Sequence, residues 1–225
     1  MKKTVLAAAS LFVISAGAST LAFAEETSGV VAGPYIGISG GIGGMDTPKL
    51  SDYAKSASGN YSESLRSGVA GRAYAGYLFG DSLKYGLEVG GAFYPNNKYS
   101  LGIVGSSMKW TYSGYNIDVL GVLRQSFSNF NIFAKAGLAY TWQKLESQSV
   151  FPTGQTTSNS TSKVLPEVAV GFGYDFTQNF GMNLAYSHIF GNKPDSLPSA
   201  NLNNLNRVAS VNMLTLGLNY HFDLN

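Results

Sequence analysis

A strict period of two constrains this chain more than any other feature. From Met213 to Phe222 it reads MLTLGLNYHF. Leu214, Leu216, Leu218, Tyr220 and Phe222 share one face, and Met213, Thr215, Gly217, Asn219 and His221 share the other. Such alternation predicts a strand with one apolar face and one small or polar face. The pattern recurs upstream. Ile36, Ile38 and Ile42 oppose Tyr35, Gly37, Ser39 and Gly41. Val69, Ala73, Ala75, Tyr77 and Phe79 oppose Arg72, Tyr74, Gly76 and Leu78, and Leu83, Tyr85, Leu87, Val89 and Phe93 oppose Lys84, Gly86, Glu88, Gly90 and Ala92. Segments 114–123, 131–143, 164–176 and 180–190 follow suit, although Leu120 and Val122 blur the first by sharing the face of Asp118. That makes about eight strands of about ten residues, the length that crosses a membrane at a tilt.

The apolar face could meet a packed core or lie against something outside the protein. The N-terminus bears on the choice. A basic start (Met1-Lys2-Lys3), an apolar stretch and Ala22-Phe23-Ala24 before Glu25-Glu26 predict a secretory signal peptide over 1–24, cleaved after Ala24. An uncleaved anchor helix is the alternative, but small and hydroxyl residues dilute the stretch. After Ala24 no apolar run approaches the ~20 residues of a spanning helix, which excludes an inner-membrane helical protein. Residues 25–225 are then an exported unit, either soluble or inserted as strands.

Composition narrows this further. Charged residues are 12% of the chain, about half the usual share in soluble domains, while Gly contributes 27 residues, Tyr 14 and Phe 13. Removing Lys2 and Lys3 with the leader leaves 13 basic residues against 13 acidic ones, a balance that gives no support to nucleic acid as a partner. With no Cys, disulfides, thiolate metal sites and Cys nucleophiles are excluded.

Connector lengths alternate. Residues 80–82, 125–129 and 177–179 are short turns, whereas 45–66, 95–107, 146–162 and 191–206 are long and hold most of the Pro, Asn and Ser. Short turns at one end and long loops at the other predict an all-β, antiparallel, up-and-down transmembrane β-barrel. In a bacterial outer membrane the turns face the periplasm and the loops face outside. Aromatics gather at strand ends, with Tyr77, Phe79, Tyr174, Phe176, Tyr220 and Phe222 on the turn side and Tyr140 and Trp142 on the loop side, as interfacial girdles require. A soluble lipocalin-like barrel would reverse the pattern, with apolar residues inside.

The segments AGYLFGDSLKYGLEVG, NIFAKAGLAY, VGFGYDFTQNFGMNLAYS and MLTLGLNYHF resemble those of the OmpA membrane-domain and opacity-type surface-protein family, over the whole mature chain. The last segment looks like that family's C-terminal assembly signal, carried by Gly217, Leu218, Tyr220 and Phe222, although Asp223, Leu224 and Asn225 follow the final aromatic here. The resemblance implies outer-membrane lipid and lipopolysaccharide as surroundings, the outer-membrane insertion machinery as a partner, and a host or cell-surface ligand for the loops. A peptidoglycan-binding domain like that of OmpA is not carried over. In OmpA a buried Glu exchanges between a Lys and an Arg to close or open the lumen. Glu88 in GLEVG matches that Glu, but Asn183 stands at the Arg position and no Lys matches.

Inward parity places Arg72, Glu88, Asp118 and Lys135 on successive strands, with Glu167 and Asp175 as further acceptors on the next. Two adjacent carboxylates need both cations nearby to stay ionised, so Asp118 is expected between Glu88 and Lys135, in a lumen plugged by paired charges.

Other chemistry is weaker. GISGGIGG lacks the Lys-Ser/Thr of a phosphate loop. Ser187 and His188, with Asp195 as the nearest acid, invoke a lipid hydrolase, but adjacent strand residues point to opposite faces. His188 and His221 read as solvated rim residues without metal-ligand spacing. Neither catalytic residues, a cofactor site nor a metal site is assigned. Three function classes stay open: a structural or adhesin-like surface protein, a small or gated pore, and a lipid-modifying enzyme. The aromatic and apolar loop residues Tyr53, Tyr61, Tyr99, Leu101, Ile103, Val104 and Phe151 suit the first, unless they fold over the barrel mouth.

Overall fold

The computed structural model describes residues 30–47, 60–64, 67–103, 106–149, 156–192 and 207–223. The leader with its cleavage site, Asp195, Tyr53, Val104 and Phe151 lie outside them, as do the side chains of Tyr61, Leu101 and Ile103. The described chain forms nine strands: β1 (Gly33–Met45), β2 (Asn60–Ser64), β3 (Gly68–Phe79), β4 (Leu83–Ile103), β5 (Ser106–Phe127), β6 (Phe130–Ser149), β7 (Thr156–Asp175), β8 (Phe180–Ile189) and β9 (Val211–His221). Eight of them, β1 and β3 to β9, pair antiparallel with their neighbours, and the β1–β9 and β4–β5 pairings close the ring. β2 is added outside this count, on the upper part of β4. Closure leaves no unpaired edge around the ring, as a strand structure in hydrocarbon must.

The faces follow the alternation. Val69 (74% exposed), Ile38 (66%) and Leu87 (62%) point outward, while Tyr35, Tyr74 and Leu78 on the opposite parity are buried inside. An outer surface of Leu, Val, Ile and aromatic residues is the lipid-facing band of a transmembrane barrel. Aromatic pairs edge this band at both ends. Tyr77–Phe79 (4.6 Å), Tyr174–Phe176 (5.4 Å) and Tyr220–Phe222 (5.0 Å) lie at the turn end, and Tyr115–Trp142 (5.0 Å) and Tyr140–Trp142 (4.1 Å) at the other.

Two of the expected loops are largely strand. The β4–β5 ladder continues from the girdle to Ile103 opposite Ser106, so residues 97–103 and 106–107 are paired rather than looped. Likewise β6–β7 pairs from Phe130–Tyr174 up to Gln148–Thr156, taking in 146–148 and 156–162. Beyond the lipid no apolar face is required, so the period-two hydrophobic signal stops while the backbone ladder goes on. Expected loop 45–66 contains β2, and of 191–206 only Gly191 and Asn192 are described. The β4 register shifts between Tyr94 and Asn97, around Pro95. Proline cannot donate to a ladder and is tolerated at such a bulge. The bulge also switches parity: Tyr94 faces inward, and above it Asn97 and Tyr99 do. Tyr99 is therefore buried in the lumen, not displayed as a loop contact.

Candidate functional site

The lumen is the candidate site, because every inward side chain converges there. Arg72 on β3 donates from Nη1 to Glu88 Oε1 on β4 (2.7 Å) and from Nε to Asp118 Oδ2 on β5 (3.2 Å), with Nη2 also bonded to Asp118 Oδ1. Lys135 on β6 donates to both Glu88 oxygens (2.8 and 2.7 Å), and Tyr35 donates to Glu88 Oε2 (2.7 Å). Glu88 thus accepts from two cations and a phenol, the satisfaction that a buried carboxylate needs. Asn116 adds a 3.3 Å bond to Asp118 Oδ2. The Tyr74 ring carries the knot from beside, with Arg72 at 5.1 Å and Lys135 at 4.8 Å from its centroid.

Two glycines make the room. A Cβ on Gly90 would meet the Arg72 guanidinium (2.7 Å to Cζ), and one on Gly37 would enter the Tyr74 ring. The crowded lumen therefore uses glycine opposite its largest inward side chains.

The structure divides the six expected charges differently from their parity alone. Arg72, Glu88, Asp118 and Lys135 come together, but Asp118 pairs with Arg72 while Lys135 goes to Glu88. The register explains this: Asp118 lies across from Gly90 and Ala139, two positions above the level of Glu88 and Leu120. Glu167 is buried at 1% exposure, and neither of its oxygens has a hydrogen-bond partner among the described residues. Asp175 stands apart, near the turns. Both its oxygens accept from Arg124 Nη2 (2.7 Å each), and Asn131 donates to Oδ2 (3.2 Å). Arg124 on β5 was not singled out from the sequence, although it has the inward parity of Asp118, Leu120 and Val122. Its Nη1 lies 3.4 Å from His221 Nε2, and His221 stacks on Tyr35 at 5.1 Å. His221 is fully buried, not a solvated rim residue, because the Tyr35 ring and Arg124 close the lumen's turn end around it.

Two cavities, ≈ 30 Å³ and ≈ 20 Å³, lie within the lumen on either side of Tyr74 and Lys135, which border both. Each has room for a water or two, far from a solute path. Above the knot the interior turns apolar: Tyr94, Tyr99, Trp110, Tyr112, Leu145 and Leu165 pack with Val208, Ala209 and Met213.

Ser187 faces inward, whereas the His188 ring bonds Asn212 Oδ1 through Nδ1 (2.7 Å) and packs on Phe190. Among the described residues no group of three His, Cys, Asp or Glu is placed to hold a metal ion. On the closing strand Leu218, Tyr220 and Phe222 point outward, Gly217 lies inward against Asn183 and Ser39, and the Phe222 amide donates to Pro34 O (2.9 Å).

Comparison with known proteins places this arrangement. An uncharacterized protein of Coxiella burnetii (strain RSA 493 / Nine Mile phase I) is 27% identical over 179 residues, 69% of this chain and 68% of its own. Among solved structures, the attachment invasion locus protein Ail of Yersinia pestis, in complex with the heparin analogue sucrose octasulfate, is 15% identical (84% of this chain, 99% of that one, TM-score 0.48). OprG of Pseudomonas aeruginosa is 18% identical (88% and 100%, TM-score 0.48). A family model described as outer membrane protein beta-barrel domain matches residues 5–222. A lipid-facing eight-stranded ring with a plugged lumen, matched over nearly its whole length, belongs to the outer membrane protein β-barrel domain family.

Proposed function

We propose that this outer-membrane barrel is a non-catalytic surface-interaction protein, adhesin-like, acting through its outer end. The observation that carries this reading is the paired sheet that continues past the Tyr115–Trp142 girdle. β4, β5, β6 and β7 stay hydrogen-bonded to Ile103–Ser106 and Gln148–Thr156, with β2 added at one side. A hydrogen-bonded platform presents side chains with less ordering cost than a free loop does. The plugged lumen supports a role outside the barrel rather than through it. The partners that go with this reading are lipopolysaccharide and outer-membrane lipid around the band, the insertion machinery at Gly217, Leu218, Tyr220 and Phe222, and a host or cell-surface ligand above. A leader removed after Ala24 would deliver the chain. A small or gated pore is the second reading, and a lipid-modifying enzyme ranks below both.

The test is to replace 97–112 with a short turn, which keeps the ladder up to Tyr94–Gly114, and to measure both folding by heat-modifiable mobility and binding of expressing cells to host surfaces. Folded barrels that lose binding support the reading. Binding that survives this replacement and the corresponding one of 145–159 overturns it, and bilayer conductance of the intact protein would then decide for the pore.

A further inference from the structure

The chain just before β9 crosses the barrel's outer mouth. Ala209 donates from N to Gln143 Oε1 (2.8 Å), and its carbonyl accepts from Gln143 Nε2 (3.0 Å). Gln143 belongs to β6, and β7 and β8 stand between it and β9 around the ring. Other bonds tie this stretch to its own side. Asn192 N donates to Val208 O (2.9 Å), Asp46 N to Ser210 O (2.8 Å), and Ser210 Oγ bonds Gly191. Val208 and Ala209 are sealed at 1% and 0% exposure, against the aromatic wall of Tyr94, Tyr99, Trp110 and Tyr112.

We infer that Val208–Ala209 is a stopper for the outer mouth, hinged at Ser210 and latched to the far wall by the amide of Gln143. The side-chain amide copies a β-ladder pairing, using its donor and its acceptor on the carbonyl and amide of a single residue. The stopper itself belongs to no strand, since the β8 and β1 ladders onto β9 begin at Val211. Releasing it breaks none of the β8–β9 or β1–β9 pairs, only the Asn192 N–Val208 O bond above them. Beneath it lies Thr141, fully buried, with an Oγ1 that has no partner among the described residues. The charge knot lies one step lower still, so the lumen has two seals in series.

The chain lacks cysteine, so Thr141→Cys places one thiol between the seals at little cost. Val122→Cys, on the turn side of the knot, is the control. The purified full-length barrel is exposed to a cationic methanethiosulfonate with and without Gln143→Ala. Losing the two bonds that span the mouth should speed modification of the cysteine at 141 by on the order of tenfold, leaving that at 122 unchanged. Gln143→Glu, which keeps the acceptor and loses the donor, should fall between, and it keeps the test open if Gln143→Ala does not fold. Equal rates at 141 in all three backgrounds, or a parallel rise at 122, would overturn the latch.

Discussion

Lys135 and Glu88 form an ion pair although their strands are not neighbours. β5 runs between them, yet Nζ lies 2.8 and 2.7 Å from the two carboxylate oxygens. The lysine reaches over the lumen face of β5, where Leu120 and Val122 supply apolar floor instead of competing polar groups. A bond of this kind ties one side of the ring to the other through its interior, independently of the backbone ladder.

Lys135→Ala should therefore leave Glu88 with Arg72 and Tyr35 only, over a void where the stem ran. Breaking one partner of a buried pair costs about 3–5 kcal/mol. Urea unfolding in lipid vesicles should register a loss in that range. A stability within experimental error of the parent would mean that Glu88 is satisfied without the lysine.

The lipid face of this fold was legible because lipid imposes the simplest pattern a strand can carry. Ile36 to Phe222 alternate as read, and even the blurred strand resolves, with Leu120 and Val122 inward beside Asp118. Partner choice inside was not legible, because inward side chains cross the lumen rather than pair along the ladder. Hence Asp175 found Arg124 and not the central knot, and Glu167 found no hydrogen-bond partner among the described residues. The strand extensions were hidden for a different reason. Residues 156–162, TTSNSTS, have no apolar face to betray them, since nothing beyond the girdle selects one.

Depth should set the cost of a charge on the outer face. Arg at Val89, Leu138, Val170 or Leu216, all outward and away from the girdles, should cost roughly 2–4 kcal/mol, against about 0–1 for Leu83→Arg beside the turns. Unfolding titrations in bilayers of one thickness provide the measurement. A flat profile along the strands would contradict lipid as the solvent of that face.

Gly90 and its neighbour Gly91 offer a paired test of lumen crowding. A Cβ at Gly90 meets the Arg72 guanidinium, which is held between two carboxylates and has nowhere to retreat, whereas at Gly91 the nearest heavy atom is Asn116 O at 3.7 Å. Gly90→Ala should cost about 1–3 kcal/mol through overpacking; Gly91→Ala should stay within about 0.5. Equal effects would show that the knot yields freely.

Arg124–Asp175 and Lys144–Glu146 are ion pairs of nearly the same length in different solvents. Their N–O distances are 2.7 and 2.6 Å, but the side chains of the first are 10% and 4% exposed and those of the second 47% and 46%. Distance alone would rank them together. In water, screening and the entropy of fixing two long side chains consume the Coulomb gain, leaving about 0–1 kcal/mol. Inside the turn end of the lumen, removing Arg124 strands a carboxylate whose only other donor among the described residues is Asn131, and removing Asp175 strands a guanidinium beside His221. Each single substitution, Arg124→Leu or Asp175→Leu, should thus cost about 3–5 kcal/mol, while the double replacement by apolar residues recovers much of it. Double-mutant cycles on both pairs, run at low and high salt, should give a large and salt-insensitive coupling for Arg124–Asp175, and a small coupling for Lys144–Glu146 that fades with salt. Equal couplings, or salt sensitivity in the inner pair, would mean that water reaches the turn end of the lumen and that Arg124 and Asp175 are not part of the plug.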